Sequence, residues 1–204
     1  MTEKRAIAYR LLGLSRGYKA LQRLLARRDA RARTAAMFAV PEGARVLDLG
    51  CGPADILHSL PESIRYTGMD SNADYLDQAR REHGARGNFI LADVSELDRH
   101  EGLYDCVMAI GLLHHLDDDQ CRRLVAAAER LLDDGGKFIA FDGCYTPRQN
   151  PIAQFLLRRD RGNHVRSEEG YVGLARSAFP EIRTLLTKDL LRLPYTHIVM
   201  TCRR

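Results

Sequence analysis

The chain of 204 residues has no C-x-x-C pair, although it holds five cysteines, Cys51, Cys106, Cys121, Cys144 and Cys202. An odd, scattered set excludes a disulfide framework and the spacing of a structural zinc site, so reduced core-type thiols and no metal are expected. The opening M-T-E-K-R-A-I-A-Y-R lacks the apolar centre of a secretory signal, and no apolar run approaches the ~20 residues that span a membrane. A cytoplasmic protein without a transmembrane segment is therefore expected. There is no internal repeat and no low-complexity linker. A formal charge of +4 is too mild to imply nucleic acid. With 45% hydrophobic and 28% charged residues, the composition is that of an ordinary soluble chain, large enough for a full core.

What the chain does have is concentrated in Ala44 to Leu57, A-R-V-L-D-L-G-C-G-P-A-D-I-L. Val46, Leu47 and Leu49 suit a buried strand, Gly50 and Gly52 suit a sharp turn open to a ligand, and Pro53 suits the first turn of a helix. Strand, glycine turn and helix start make a nucleotide-type corner. The third glycine of G-x-G-x-x-G is absent, because Asp55 stands there. This weakens a nicotinamide dehydrogenase reading. Asp70 closes a second apolar run, Y-T-G-M-D, at about the 20-residue offset of a ribose-binding acid. Asp93 closes a third, N-F-I-L-A-D. With Asp48, two positions before Gly50, these make acids at the ends of three successive strands, which suits a ligand with a cationic amino acid part, a ribose and an adenine.

From Ala44 onward strands and helices alternate, which argues a parallel sheet with helices on both faces. Strands are expected near 45–49, 65–69, 88–91, 104–109 and 137–142, and helices near 54–60, 72–83 and 118–132. Ser71 and Asn72 read as alternative caps of the second helix and Asp117 as the cap of the third, with Gly135–Gly136 as a helix stop. The first forty residues (1–40) read as a helical cap ahead of a domain over 41–204. Leu11, Leu14, Tyr18, Leu21 and Leu25 form an apolar stripe, opposite a basic face of Arg16, Lys19, Arg23 and Arg27. That face is either solvated or a docking surface. Residues 143–170 are too long for a plain connection and form a polar, substrate-facing insertion. A helix from Ser167 to Ala178 and two strands joined at Leu193–Tyr195 end the chain.

These motifs resemble the class I S-adenosylmethionine-dependent methyltransferases in their small seven-strand form. L-D-L-G-C-G is similar to that family's first motif, Y-D-C-V-M-A-I-G-L-L-H-H-L to its fourth strand, and L-L-D-D-G-G-K-F-I-A to the turn into its fifth. Ala54 departs from the pattern, where many relatives have glycine. The resemblance implies a Rossmann-like α/β fold with a seven-stranded, mostly parallel sheet and an antiparallel last strand. It implies S-adenosylmethionine as cofactor and S-adenosylhomocysteine as product. Asp48, Gly50, Cys51, Gly52, Asp70, Ser71, Asp93, Val94 and Ile110 would border the cofactor, with Asp48 near the methionyl ammonium. His115, His164 and Arg166 are the candidate catalytic residues. Arg161 and Arg166 suggest an acceptor that is partly anionic. A small-molecule acceptor methylated on oxygen or nitrogen is expected, in a monomer or homodimer. The fourth strand ends in A-I-G-L and not in an N-P-P-Y type run, which disfavours base-flipping chemistry on nucleic acid. The alternatives are an RNA- or protein-directed methyltransferase docking through the basic helices, or a non-enzymatic S-adenosylmethionine-binding module.

Overall fold

The structure is a computed structural model that describes residues 26–159 and 163–204. Arg16, Lys19 and Arg23 of the expected basic helix face, and Asp160 and Arg161, lie outside the described residues, while Arg27 precedes the first described helix, its backbone N donating to the Leu190 carbonyl.

Alternation is the rule through the first half. Strand β1 (Arg45–Leu49) is followed by β2 (Arg65–Asp70), helix α2 (Ala73–His83), β3 (Gly87–Leu91), β4 (Tyr104–Ile110), α3 (Asp118–Arg130) and β5 (Leu132–Tyr145). Helix α1 (Ala30–Phe38) precedes them. After β5 come α4 (Pro151–Arg158), the two-residue strand β6 (Arg166–Ser167), α5 (Glu168–Ala175), β7 (Glu181–Thr187) and β8 (His197–Arg203). The sheet order is β3-β2-β1-β4-β5-β8-β7, with β6 paired to β5. Strands β1 to β5 pair in parallel, and β8 runs antiparallel to both β5 and β7. Among the described residues the sheet thus has eight strands where seven were expected, the extra one being the short β6.

Strands with both faces covered read as near-continuous apolar runs. In β1, Val46, Leu47 and Leu49 are fully buried. Side-chain alternation sends Val46, Cys106 and Met108 into one core layer and Leu47, Leu49, Val107 and Ala109 into the other. Helix α3 buries Cys121, Leu124, Val125 and Ala128. Their i, i+3, i+4, i+7 spacing is a single stripe, and burying one such leucine stabilises by about 1.5–3 kcal/mol. The two expected caps hold: the Asn72 side chain accepts from Asp74 N and Tyr75 N, and Asp117 with Gln120 closes a capping box. All five cysteines are buried and free.

Two local expectations need correction. The helix near 54–60 is a 3₁₀ turn, Asp55–Ser59, because Ala54 takes a left-handed φ of 58°. An α-helix cannot start through that residue. Gly135–Gly136 does not stop a helix. Helix α3 ends at Arg130, and the glycines lie in β5, where the pairing with β4 slips between Tyr104 and Cys106. A Cβ on Gly136 would stand 2.9 Å from the Asp133 carbonyl and 3.0 Å from that of Tyr104, so close backbone approach explains that glycine.

Helix α1 is fastened over the ends of β4 and β5. Buried Lys137 donates to the Phe38 and Ala39 carbonyls at 2.6 and 2.7 Å, satisfying the helix C-terminus. Phe38 packs edge-on against Phe141 with ring centres 5.7 Å apart. Ala26 pairs with Leu191, and Arg33 meets Asp189 at 2.9 Å. Among the described residues, no helix is long and apolar enough to cross a membrane.

Candidate active site

Parallel pairing brings the C-terminal ends of β1, β2, β3 and β4 to one edge, and the expected acids come with them. Gly50, Gly52, Asp70, Ser71, Asp93, Val94 and His115 all border one cleft of about 370 Å³. Gly50 and Gly52 have φ of +67° and +54°. A Cβ on Gly50 would strike Leu112 Cδ1 at 2.8 Å, whereas a Cβ on Gly52 would meet nothing within 4 Å among the described residues. The turn thus keeps its shape at Gly50 and leaves space at Gly52.

Asp70 is oriented by backbone donors. Gly52 N donates to its Oδ2 and Asn72 N to its Oδ1, both at 2.8 Å. Each carboxylate oxygen keeps a further lone pair for a ligand hydroxyl. Asp93 caps the turn Val94–Arg99: Ser95 N donates to its Oδ1 at 2.8 Å, and Glu96 accepts from its backbone N–H. The Ser95 hydrogen bonds hold the Asp93 carboxyl below the usual carboxylate range. Helix cap and cleft wall are therefore the same residue.

Asp48 lies behind the turn and not on the cleft surface. It is 1% exposed, and Tyr66 O–H donates to its Oδ2 at 2.6 Å. Burial pushes its carboxyl up to about 7, with the Tyr66 hydrogen bond opposing. Its Oδ1 is buried with no hydrogen-bond partner among the described residues. Cys51 is also buried, its Sγ on the Gly52 carbonyl. Ile110 faces a second cavity, described below.

The histidine pair divides in two. His115 borders the cleft, and its ring tilts against that of His114 with centres 4.1 Å apart. His114 is buried and forms a close Nδ1 contact with the Asp142 carboxyl, which also accepts from His114 N at 3.3 Å. Burial raises the Asp142 carboxyl above its ordinary range, against the His114 hydrogen bond. The His164 backbone N donates to the His114 carbonyl at 3.0 Å, while its side chain is exposed and outside the cleft.

Arg166 is not an anion receptor. Its Nε and Nη2 donate to Asp118 Oδ1 at 2.9 and 2.7 Å. Its Nη1 donates to the Leu113 and His164 carbonyls and its Nη2 to that of Leu116, at 2.9, 2.8 and 2.8 Å. All five guanidinium N–H groups are thereby engaged. The residue clamps the turn Leu113–His115 that carries His115, and in return its guanidinium holds Asp118 below the usual carboxylate range.

Beside the cleft lies a cavity of about 320 Å³, walled chiefly by Ile56, Ile110, Phe141, Leu190, Leu191 and α1 residues such as Ala30. His58 and His197 bring imidazoles to it. His197 stacks on Phe141 with ring centres 4.9 Å apart. Ile110 borders this cavity while the next residue, Gly111 (φ +64°), borders the cleft, so consecutive residues at the end of β4 line the two spaces. Sequence reasoning missed Tyr75, Gly111 and Leu112 on the cleft and His197 on the cavity. Only Gly111 carried a signal, a glycine directly after an apolar strand.

The donor set fits an adenosyl sulfonium: an open glycine turn, two anchored carboxylates at the edge, and an apolar space next to them. Residues 46–136 match the methyltransferase domain family. That segment is less than half of the chain, and the fold around it resembles the Rossmann-like fold of S-adenosylmethionine-dependent methyltransferases. Among its curated relatives is a ubiquinone biosynthesis O-methyltransferase of Pectobacterium atrosepticum, 35% identical over 99 residues, covering 46% of this chain and 40% of the relative. In fold it resembles a TehB-like SAM-dependent methyltransferase from Corynebacterium glutamicum (TM-score 0.68, 16% identity, 94% of this chain and 97% of that one). It also resembles the S-adenosylmethionine-dependent methyltransferase SibL (TM-score 0.71, 21% identity, 94% of this chain and 58% of that one). The chain spans about half or less of the length of the curated relatives it matches.

Proposed function

We propose that this protein transfers the methyl group of S-adenosylmethionine to an oxygen or nitrogen atom of a small, largely apolar acceptor. The observation that carries the reading is the apolar cavity at Ile110 and Phe141, adjoining a cleft edged by Asp70 and Asp93. The relatives named as O-methyltransferases, including the mitomycin 7-O-methyltransferase among the fold neighbours, support a small acceptor. The engagement of every Arg166 donor moves the reading away from an anionic one.

Bound in the cleft, S-adenosylmethionine would supply a methyl group on a sulfonium that is already activated as a leaving group. The protein's task is then alignment and exclusion of water, worth about 7–11 kcal/mol when the geometry is good. Asp70, fixed by two backbone N–H groups, would hold the ribose hydroxyls, and Asp93 the adenine amino group. Gly52 gives room rather than a donor, because its N–H is already spent on Asp70. Asp48, one layer deeper, presents negative charge toward the methionyl end when ionised. His115 is the imidazole on the cleft wall, where it can accept a proton from a neutral nucleophile. Arg166 positions the turn that carries it. Helix α1 and Leu190–Leu191 would exclude water from the acceptor.

Calorimetry with S-adenosylmethionine, S-adenosylhomocysteine and NAD on one sample, followed by product-nucleoside release across neutral phenols, amines and carboxylates, tests the reading. Binding of the first two, with turnover on neutral aromatic acceptors, is the expected result. Binding of NAD alone would overturn it, as would turnover confined to carboxylates.

A further inference from the structure

Away from the cofactor cleft, three side chains converge to which the proposed reaction assigns no chemical step, two of them on the wall of the apolar cavity. Asp55 and His58 lie on the 3₁₀ turn Asp55–Ser59, and His83 is the last residue of α2. Residues three apart on a 3₁₀ turn eclipse one another, so Asp55 and His58 share a face. The His58 ring meets that of His83 edge-on, with centres 5.0 Å apart. One ligand atom from each of the three residues lies within 4.8 Å of the others.

His83 is 6% exposed, and its Nε2 is buried with no hydrogen-bond partner among the described residues. Leaving a polar group buried and unpaired costs about 1–3 kcal/mol, and such a group calls for an explanation. A Glu82 carboxylate oxygen is 4.0 Å from this nitrogen, beyond hydrogen-bond reach. We propose that Asp55, His58 and His83 form a binding site for a divalent transition metal of the zinc class. Two imidazoles and one carboxylate suit zinc, cobalt or nickel and not magnesium or calcium, which take all-oxygen sets. Ligands around a tetrahedral zinc stand about 3.4 Å apart, given bonds of about 2.0–2.2 Å. The contraction required is supplied by the exposed His58 side chain. Arg31 borders the same cavity as Asp55 and His58, and being exposed it can turn to solvent. The metal would tie the turn after β1 to the end of α2. Because Asp55 and His58 also wall the apolar cavity, it would stiffen one side of that cavity.

The full-length chain, stripped with a chelator, is titrated with zinc chloride by calorimetry and with cobalt chloride by visible absorption. One equivalent is expected, with the strong cobalt bands of a four-coordinate site. His58→Ala and Asp55→Ala should each weaken zinc binding about 10-fold or more. His83→Gln should do the same, and the two outer variants carry the test if this buried one does not fold. His115→Ala should bind zinc unchanged, which separates this cluster from the histidine pair at the cleft. S-adenosylmethionine binding by His58→Ala reports that its fold is intact. Absence of zinc binding in the parent chain overturns the proposal, as does binding that survives both His58→Ala and Asp55→Ala.

Discussion

Asp48→Asn tests whether burial sets the charge behind the glycine turn. The folded carboxyl stands at about 7 against an ordinary 3.8, burial being the cause. Roughly three pKa units at 1.36 kcal/mol each make about 4 kcal/mol. Between these two values the folded chain keeps a proton that the unfolded chain has lost. Stability from this group is therefore complete below about pH 4, declines as pH rises, and is gone once pH has passed about 7. Asparagine remains neutral and can still accept the Tyr66 hydrogen bond, but its amide N–H₂ replaces a buried oxygen that has no partner among the described residues. That leaves a roughly constant cost of about 1–3 kcal/mol. The test is urea unfolding of both proteins from about pH 4.5 to about pH 8. The difference in unfolding free energy should swing by about 3 kcal/mol in favour of Asp48→Asn as pH rises, a relative midpoint shift of about 1.5 M for a slope near 2 kcal/mol/M. Titrations elsewhere in the chain cancel in the difference. If that difference stays flat within about 1 kcal/mol, Asp48 is ionised in the folded chain and the argument from desolvation fails.

Three further outcomes follow from the site. Arg166→Ala removes five donors from the turn before α3, so a loss of about 2–4 kcal/mol in denaturant stability is expected, together with lower turnover. Arg166→Lys should recover only part of both, since a lysine cannot fork, and full rescue would refute the clamp. Gly52→Ala adds a methyl group where no described residue lies within 4 Å, at a φ of +54°. A stability cost of about 1–2 kcal/mol with a distinctly larger loss of S-adenosylmethionine affinity is expected, and calorimetry showing unchanged affinity would mean that the ligand does not approach this turn. Ala54→Gly relieves a left-handed φ of 58° but gives up a fully buried methyl group and adds unfolded-state freedom, so a change below about 1 kcal/mol is expected in the unfolding midpoint.

Much of the site was legible because its signals are local. A glycine pair after V-L-D-L, and acids closing the next two strands, need only a parallel order to meet, and β1–β2–β3 supplies it. Six of the nine residues expected to border the cofactor line that cleft, Ile110 lines the cavity beside it, and Asp48 and Cys51 are buried behind the turn. Arg166 shows the limit of such reading. In the sequence it is an arginine in a polar loop, but in the fold that loop returns beside β5, so its donors close on three carbonyls and Asp118. His197 was likewise invisible as a cavity residue until β8 ran back along β5 and set its ring on Phe141.

The sequence by itself determined the alternating α/β order, the caps at Asn72 and Asp117, and the glycine-and-acid edge, because each depends on near neighbours in the chain. Only the tertiary structure decided which groups lose water and which find partners. Burial of Asp48, engagement of Arg166 and the meeting of His58 with His83 depend on segments far apart in sequence, and the free energy of a charge or an imidazole is set by what surrounds it.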